Sequence, residues 1–305
     1  MIPERYDLEF RHLRYFQAVA EERNFTRAAD RVGIAQPPLS RQIRELEDEI
    51  GLPLFDRDSR PVTLTDAGRL LLEHANRVLG AIAQMQDAMA RLREGERKRF
   101  VIGFVGSAIY GPVPALLRRF RDAAPALDVD LLEMNTVAQM AALKDGRIDA
   151  GIGRLTFDDP AISRHVIEHE RLVAAVPVDH PLAEGNGAVT LADIACDTLI
   201  LYPNEPRPSY ADQVLAVFRD YDVHPAAVRE VRELQTALGL VAAQSGVALV
   251  PASVQRLKRD DVVYLPIAEA GAQSPIILNW RAKDGSSAIA LLVRICRELA
   301  AADAG

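Results

Sequence analysis

Asn24-Phe25-Thr26-Arg27-Ala28-Ala29 and, seven residues on from Ala29, Gln36-Pro37-Pro38-Leu39-Ser40-Arg41-Gln42-Ile43 read as the starts of two consecutive helices. Asn24 offers a capping side chain to the first and Gly33 ends it, while Pro37 and Pro38 suit the opening turn of a helix and not its interior. Leu39, Ile43, Leu46 and Ile50 then recur at helical spacing until Gly51, and Leu13, Phe16 and Val19 mark one more helix upstream. Two helices joined by a tight turn, the second opening on short polar side chains and arginine, meet the needs of a helix-turn-helix. Its recognition helix must set small hydrogen-bonding groups near base edges and cations near phosphates. The candidate DNA contacts are Thr26, Arg27, Gln36, Pro37, Pro38, Ser40, Arg41 and Arg44.

Working outward, Leu54-Phe55-Asp56-Arg57 and Arg60-Pro61-Val62-Thr63-Leu64 flank Asp58-Ser59 as a short hairpin, with Arg57 and Arg60 as further DNA contacts at its tip. This predicts a winged helix-turn-helix over residues 8–68. A three-helix core with an ordinary surface hairpin fits the same periodicity. Beyond it, Leu71, Ala75, Val78, Ile82, Met85, Met89 and Leu92 alternate spacings of four and three, the seam of a coiled coil. A linker helix over residues 69–95 is therefore expected to pair with a second copy of the chain. Packing on its own chain is the alternative, although no other long heptad segment is present to receive it. Two-fold pairing would set two recognition helices on one face of double-stranded DNA. The charge-dense run from Arg91 to Arg99 reads as a hinge.

From residue 100 to 305 the pattern changes to short apolar strands alternating with helices, the mark of a parallel α/β sheet. Strands are expected at 100–105, 129–134, 148–152, 172–178, 199–202, 247–250 and 276–280, and helices at 112–120, 137–144, 210–221, 234–243 and 289–299. Sheets of this kind bind ligands beyond the carboxyl ends of their strands. Three strand-to-helix junctions carry hydroxyls: Gly106-Ser107, Asn135-Thr136 and Pro208-Ser209-Tyr210. Each offers backbone N–H donors, a hydroxyl and the positive end of a helix dipole, so two facing one cleft would hold a small dicarboxylate. Taken singly, each hydroxyl is equally an ordinary N-cap. Arg154, at the end of a strand, is placed to reach the same cleft or to form a surface ion pair.

Composition sets the outer bounds. The chain has 305 residues, enough for two or three domains, with 49% hydrophobic and 26% charged residues, a globular profile. No apolar run reaches membrane-spanning length, and Glu4, Arg5, Asp7 and Glu9 interrupt the start where a secretory signal would need an apolar core, so a cytoplasmic protein is expected. The net charge of −7 looks wrong for a nucleic-acid binder, and although Arg41, Arg44, Arg57 and Arg60 cluster in one short region, Glu45, Glu47, Asp48 and Glu49 partly offset them, so composition alone does not point to DNA. Cys196 and Cys296 are far apart and are expected to be buried, inert thiols. His165 and His169 with Glu168 and Glu170 have the four-residue spacing of a helical metal site, but Val166 and Ile167 point to extended chain, and no metal or other cofactor is expected. No phosphate-cradling glycine loop, dinucleotide fingerprint or nucleophile with its base is present, and no enzymatic activity is expected.

Phe10-Arg11-His12-Leu13-Arg14-Tyr15-Phe16, Asn24 to Ala29, Gln36 to Ile43, Leu46-Glu47 and Leu64-Thr65-Asp66-Ala67-Gly68 together resemble the N-terminus of the LysR-type transcriptional regulators. The C-terminal part is similar to one branch, the muconate-responsive activators of aromatic catabolism of the CatR, CatM and BenM type. Its marks are Leu201-Tyr202-Pro203, Arg207 to Asp212, Glu233 to Ala237, Val250 to Ser253 and Ser274-Pro275-Ile276. The resemblance implies homodimers assembled into a homotetramer on promoter DNA, contact with RNA polymerase, and a periplasmic-binding-protein-like effector domain. Its subdomain I would cover about 100–170 and 275–305, and its subdomain II about 171–274. The effector would be cis,cis-muconate or a related small dicarboxylate held between them, with chloromuconate or another carboxylate as the alternative. A solute-binding module without DNA activity is a further alternative, disfavoured by the winged segment. The implied effector contacts are Ser107, Ala108, Thr136, Arg154, Pro208, Ser209 and Tyr210. Gly106 stands where some relatives have a second serine, and Glu168 where a benzoate-responsive relative carries a cation, so a second, aromatic-acid site is not expected.

Overall fold

The structure, a computed structural model, describes residues 8–56, 59–94, 97–185 and 187–303. The chain divides into two compact units, the first ending in a long helix and the second running from Arg97 onward.

The first unit is built from α1 (Phe10–Glu22), α2 (Phe25–Val32) and α3 (Gln36–Ile50), then a hairpin of β1 (Phe55–Asp56) and β2 (Thr63–Leu64), and finally α4 (Asp66–Glu94). The signals expected to delimit the helices act as read. The Asn24 side chain accepts from the N–H groups of Thr26 and Arg27, and Gly33 and Gly51 close α2 and α3 in the left-handed conformation that suits glycine. The apolar stripes of all three helices meet in one core, where Phe16, Val19, Ala28, Ala29, Leu39, Ile43 and Leu46 are buried. Phe55 of the hairpin joins it, 5.3 Å from the Phe16 ring and 5.8 Å from that of Phe25. Glu47 of α3 accepts from the backbone N–H groups of Leu54 and Phe55, which ties the wing to the recognition helix. The fold is therefore a winged helix-turn-helix and not three helices with an incidental hairpin. Arg57, at the tip, lies outside the described residues.

Helix α4 begins at Asp66, three residues earlier than expected, because the Thr65 hydroxyl accepts from the Gly68 N–H and caps it. Its 29 residues make a rod of about 44 Å. The expected seam has two parts. Leu71 and Ala75 pack into the core of their own unit, whereas Val78, Met85 and Met89 are exposed. The side chain of Leu92 lies outside the description.

The second unit opens with β3 (Lys98–Phe104), a 3₁₀ turn (Gly106–Tyr110), α5 (Val113–Ala123), β4 (Leu127–Glu133), α6 (Thr136–Lys144) and β5 (Ala150–Gly153). Strand β6 (Ile162–Pro177) leads to α7 (Leu191–Ala195), β7 (Thr198–Leu201), α8 (Tyr210–Asp220), β8 (Ala227–Glu230), α9 (Leu234–Ala242) and β9 (Ala248–Pro251). A second 3₁₀ turn (Ala252–Leu257), β10 (Val262–Pro266), β11 (Gln273–Arg281) and α10 (Ser287–Asp303) complete it. Strand β3 runs parallel to both β4 and β5, and β7 parallel to β8, but β11 is antiparallel to β5 and β6, and β6 to β9 and β10. The expected parallel sheet is thus mixed. The chain leaves the first lobe through β6 and comes back through β11, so these two strands run in opposite directions and pair antiparallel.

Residues Ile162 to Arg171 of β6 pair with β11, and Leu172 to Pro177 pair with β9 and β10. One lobe centres on Phe100, Ile102, Leu116, Phe120 and Ile152, the other on Val173, Leu199, Val214, Leu238 and Leu249. In β3, Phe100 and Ile102 enter one core and Val101 another, the period-two burial of a strand covered on both faces. Cys296 is buried as expected, its thiol pushed up to about 12 by burial, but Cys196 is exposed because it caps the end of the short α7. His165 and His169 lie on β6, in extended chain. No helix among the described residues is long and apolar enough to cross a membrane.

Candidate functional site

In the first unit the DNA-contact candidates follow from the amphipathic helices: what the core does not take is turned outward. Thr26, Arg27, Gln36, Pro37, Arg41, Arg44 and Arg60 are exposed, and Pro38 and Ser40 are half-buried. Thr26 and Gln36 open their helices directly after the turns, and Gln36 donates to the Ser40 hydroxyl at 2.8 Å, holding both at the start of α3. Arg41 is 3.7 Å from Glu45 on the next turn, an exposed pair that costs little to exchange for a phosphate.

In the second unit a cleft of about 470 Å³ lies between the lobes. From one side it is lined by Ser107, Glu133, Asn135, Thr136 and Arg154, and from the other by Tyr202, Pro208, Ser209, Tyr210, Arg232, Glu233 and Gln235. The first turns of α6, α8 and α9 all reach it, and first-turn N–H groups have no partner within their own helix.

The three hydroxyl-bearing junctions turn out unequal. Ser209 is a complete capping box: its Oγ accepts from Ala211 and donates to the Pro203 carbonyl at 2.8 Å, while Asp212 accepts from the Ser209 N–H. That hydroxyl is spent on its own helix, the ordinary role. The Tyr210 hydroxyl is likewise engaged, donating to the Leu249 carbonyl, and burial raises the phenols of both Tyr202 and Tyr210 so that they stay neutral. Helix α6 is capped instead by Asn135, whose Oδ1 accepts from Ala138 at 2.8 Å, which frees Thr136 from that duty.

Ser107 and Thr136 share a different partner. Arg154 Nε donates to Ser107 Oγ at 2.9 Å, and the Arg154 backbone N–H approaches Thr136 Oγ1 at 3.4 Å. Each hydroxyl already accepts, so its own proton is the one it has left to give. Two hydroxyl donors therefore line the cleft beside the start of α6, an arrangement suited to a carboxylate oxygen.

Arg154 itself is not the surface ion pair that its sequence context allowed. It is 2% exposed, pairs with Glu170 at 2.7 Å, and also donates to Ser274. Glu170 in turn accepts from the Ser253 N–H at 2.6 Å, and Ser274 donates to Gln213, whose amide returns to the Arg154 carbonyl. This buried network crosses between the lobes and neutralises the guanidinium, so Arg154 acts on the cleft by orienting Ser107. Ala108 is not among the residues that line the cleft: its side chain is fully buried in the lobe core and its N–H bonds to the Val105 carbonyl. Glu133 and Arg232 were not anticipated, and Asn135, Tyr202 and the start of α9 were not named as effector contacts. The last three carried a signal, in the runs Asn135-Thr136, Leu201 to Pro203 and Glu233 to Ala237.

Comparison with known proteins agrees with both units. Residues 10–69 match the bacterial regulatory helix-turn-helix protein, lysR family, and residues 93–301 match the LysR substrate binding domain. A probable cat1 operon transcriptional activator of Acinetobacter lwoffii is 49% identical, covering 96% of this chain and 96% of its own length. The HTH-type transcriptional regulator BenM of Acinetobacter baylyi is 44% identical over the same shares of the two chains. The crystal structure of full-length CbnR complexed with its target DNA matches with a TM-score of 0.74 at 32% identity, over 96% of this chain and all of that one. A winged helix-turn-helix with a linker helix, a two-lobed α/β domain and this degree of likeness together establish that the chain belongs to the LysR family, as a DNA-binding transcriptional regulator closely related to BenM and CbnR.

Proposed function

We propose that this regulator activates genes for the breakdown of aromatic rings in response to a small dicarboxylate, cis,cis-muconate or a close relative, bound in the cleft between the two lobes. The observation that carries the reading is the pair of hydroxyls, Ser107 and Thr136, each accepting from Arg154 and so left to donate. The likeness to the cat1 activator and to BenM supports the class of genes. Effector binding changes transcription only through a difference in affinity between two assemblies, so the lobes must favour one shape when filled. The working form is a homodimer paired into a homotetramer on promoter DNA, touching RNA polymerase. Its dimer seam is the exposed stripe Val78, Met85 and Met89 on α4.

Two variants test separate halves of this reading. Arg41→Ala is expected to weaken operator binding about tenfold and to reduce its salt dependence, while calorimetric titration with muconate stays as in the wild type. An unchanged footprint would remove α3 as the recognition helix. Ile82→Lys sets a charge on the half-buried flank of the stripe and should dissociate the dimer in sedimentation. Operator affinity then falls by about tenfold or more, because one recognition helix must bind without its twin. Sedimentation at the wild-type mass would show that the seam lies elsewhere.

A further inference from the structure

The cleft that suits an anion also contains carboxylates, and one of them is placed with unusual closeness. Glu133 ends β4, directly opposite Phe104 in the parallel register, so it stands beside the chain that turns through Gly106 into the 3₁₀ turn carrying Ser107. Its carboxylate folds over Gly106. A Cβ at that position would overlap Glu133 Oε1 and lie 3.4 Å from its Cδ, so any side chain there would have to displace the carboxylate. Three residues further along the chain is Thr136, and Glu133, Ser107 and Thr136 line the same cleft. Glu205 and Glu233 approach from the opposite lobe together with Arg232, but Glu133 is the acidic lining residue on the lobe that bears both hydroxyl donors.

We infer that Glu133 sets the charge preference of the cleft, as a specificity-determining residue that opposes the second negative charge of a ligand. The inference rests on the reading of the cleft as a carboxylate site. The donors there reward a carboxylate by short hydrogen bonds that require contact. The repulsion from Glu133 reaches further and counts every negative charge the ligand brings, so a dianion suffers more than a monoanion of the same skeleton. Because Glu133 is exposed to solvent, the effect is modest, about threefold per ligand charge at low salt, and ionic screening reduces it.

The test uses the full-length chain, wild type and Glu133→Gln, titrated calorimetrically with cis,cis-muconate and with its monomethyl ester at low and high salt. Glu133→Gln should tighten muconate by about fivefold to tenfold and the ester by about threefold at most, with the difference shrinking at high salt. Gly106→Ala, whose Cβ must push the carboxylate aside, should move the ratio of the two affinities in the same direction. If both ligands bind and the ratio is unchanged or reversed in Glu133→Gln, the inference is overturned while the function of the cleft stands. If neither ligand binds the wild type, the proposed function fails and the inference falls with it.

Discussion

Glu170→Ala is expected to lower the stability of the second unit by about 3–5 kcal/mol, seen as a shift of its urea midpoint at constant slope. The cause is the partner it abandons. Arg154 is 2% exposed, and Glu170, itself 5% exposed, supplies its counter-charge at 2.7 Å. Removing the carboxylate leaves the guanidinium without its counter-charge at a buried position and strips the Ser253 N–H of its acceptor as well. The double variant Arg154→Met with Glu170→Leu removes both charges and should recover most of the loss, since apolar replacements for a buried pair are close to neutral. It should nevertheless fail to respond to effector, because Ser107 loses the Nε–H that orients its hydroxyl. A single variant that unfolds at the wild-type midpoint would show that the pair is not enclosed, and a responsive double variant that Arg154 does not orient the site.

The second large effect concerns the hydroxyls themselves. Ser107→Ala combined with Thr136→Val should weaken muconate binding by about a hundredfold or more while operator binding without effector persists. Each hydrogen bond to a charged group is worth about 1.5–3 kcal/mol, and two are lost. Valine is chosen at 136 because Thr136 is 3% exposed, so keeping its shape separates the loss of a donor from the opening of a cavity. The backbone donors of α6 and α9 remain and set the residual affinity. Calorimetric titration of the double variant decides the matter: a curve matching the wild type would mean that these hydroxyls serve only their own lobe.

Why Ser107 and Thr136 differ from Ser209 was not legible in the sequence. All three are small hydroxyl residues at strand-to-helix junctions, and local pattern treats them alike. What separates them is the identity of the cap. Asp212, three residues after Ser209, completes a capping box and was visible in principle, whereas Asn135 displacing Thr136 from the capping position depends on where the backbone of α6 turns. Arg154 and Glu170 are sixteen residues apart and would each pass for surface charges. Their meeting depends on β5 and β6 both flanking β11, a tertiary fact with no local trace.

The N-terminal unit was the easier reading, because its helices carry their boundaries in single residues, Asn24, Gly33, the two prolines and Gly51. Strand β8 shows the opposite case. All four residues, Ala227 to Glu230, are exposed, so no alternation marks them and pairing with β7 alone makes the strand. The first ten residues of β6 were likewise masked by charge, since Arg164, Glu168 and Arg171 interrupt the apolar run that identifies its second half.

The central claim, that a dicarboxylate is held by Ser107 and Thr136 between the lobes, is tested most directly by a crystal structure of the full-length protein grown with cis,cis-muconate. The account predicts one carboxylate of the ligand within about 3 Å of both Ser107 Oγ and Thr136 Oγ1, with the Arg154 to Glu170 pair intact behind them. Muconate bound outside this cleft, or bound within it without touching either hydroxyl, would contradict the account.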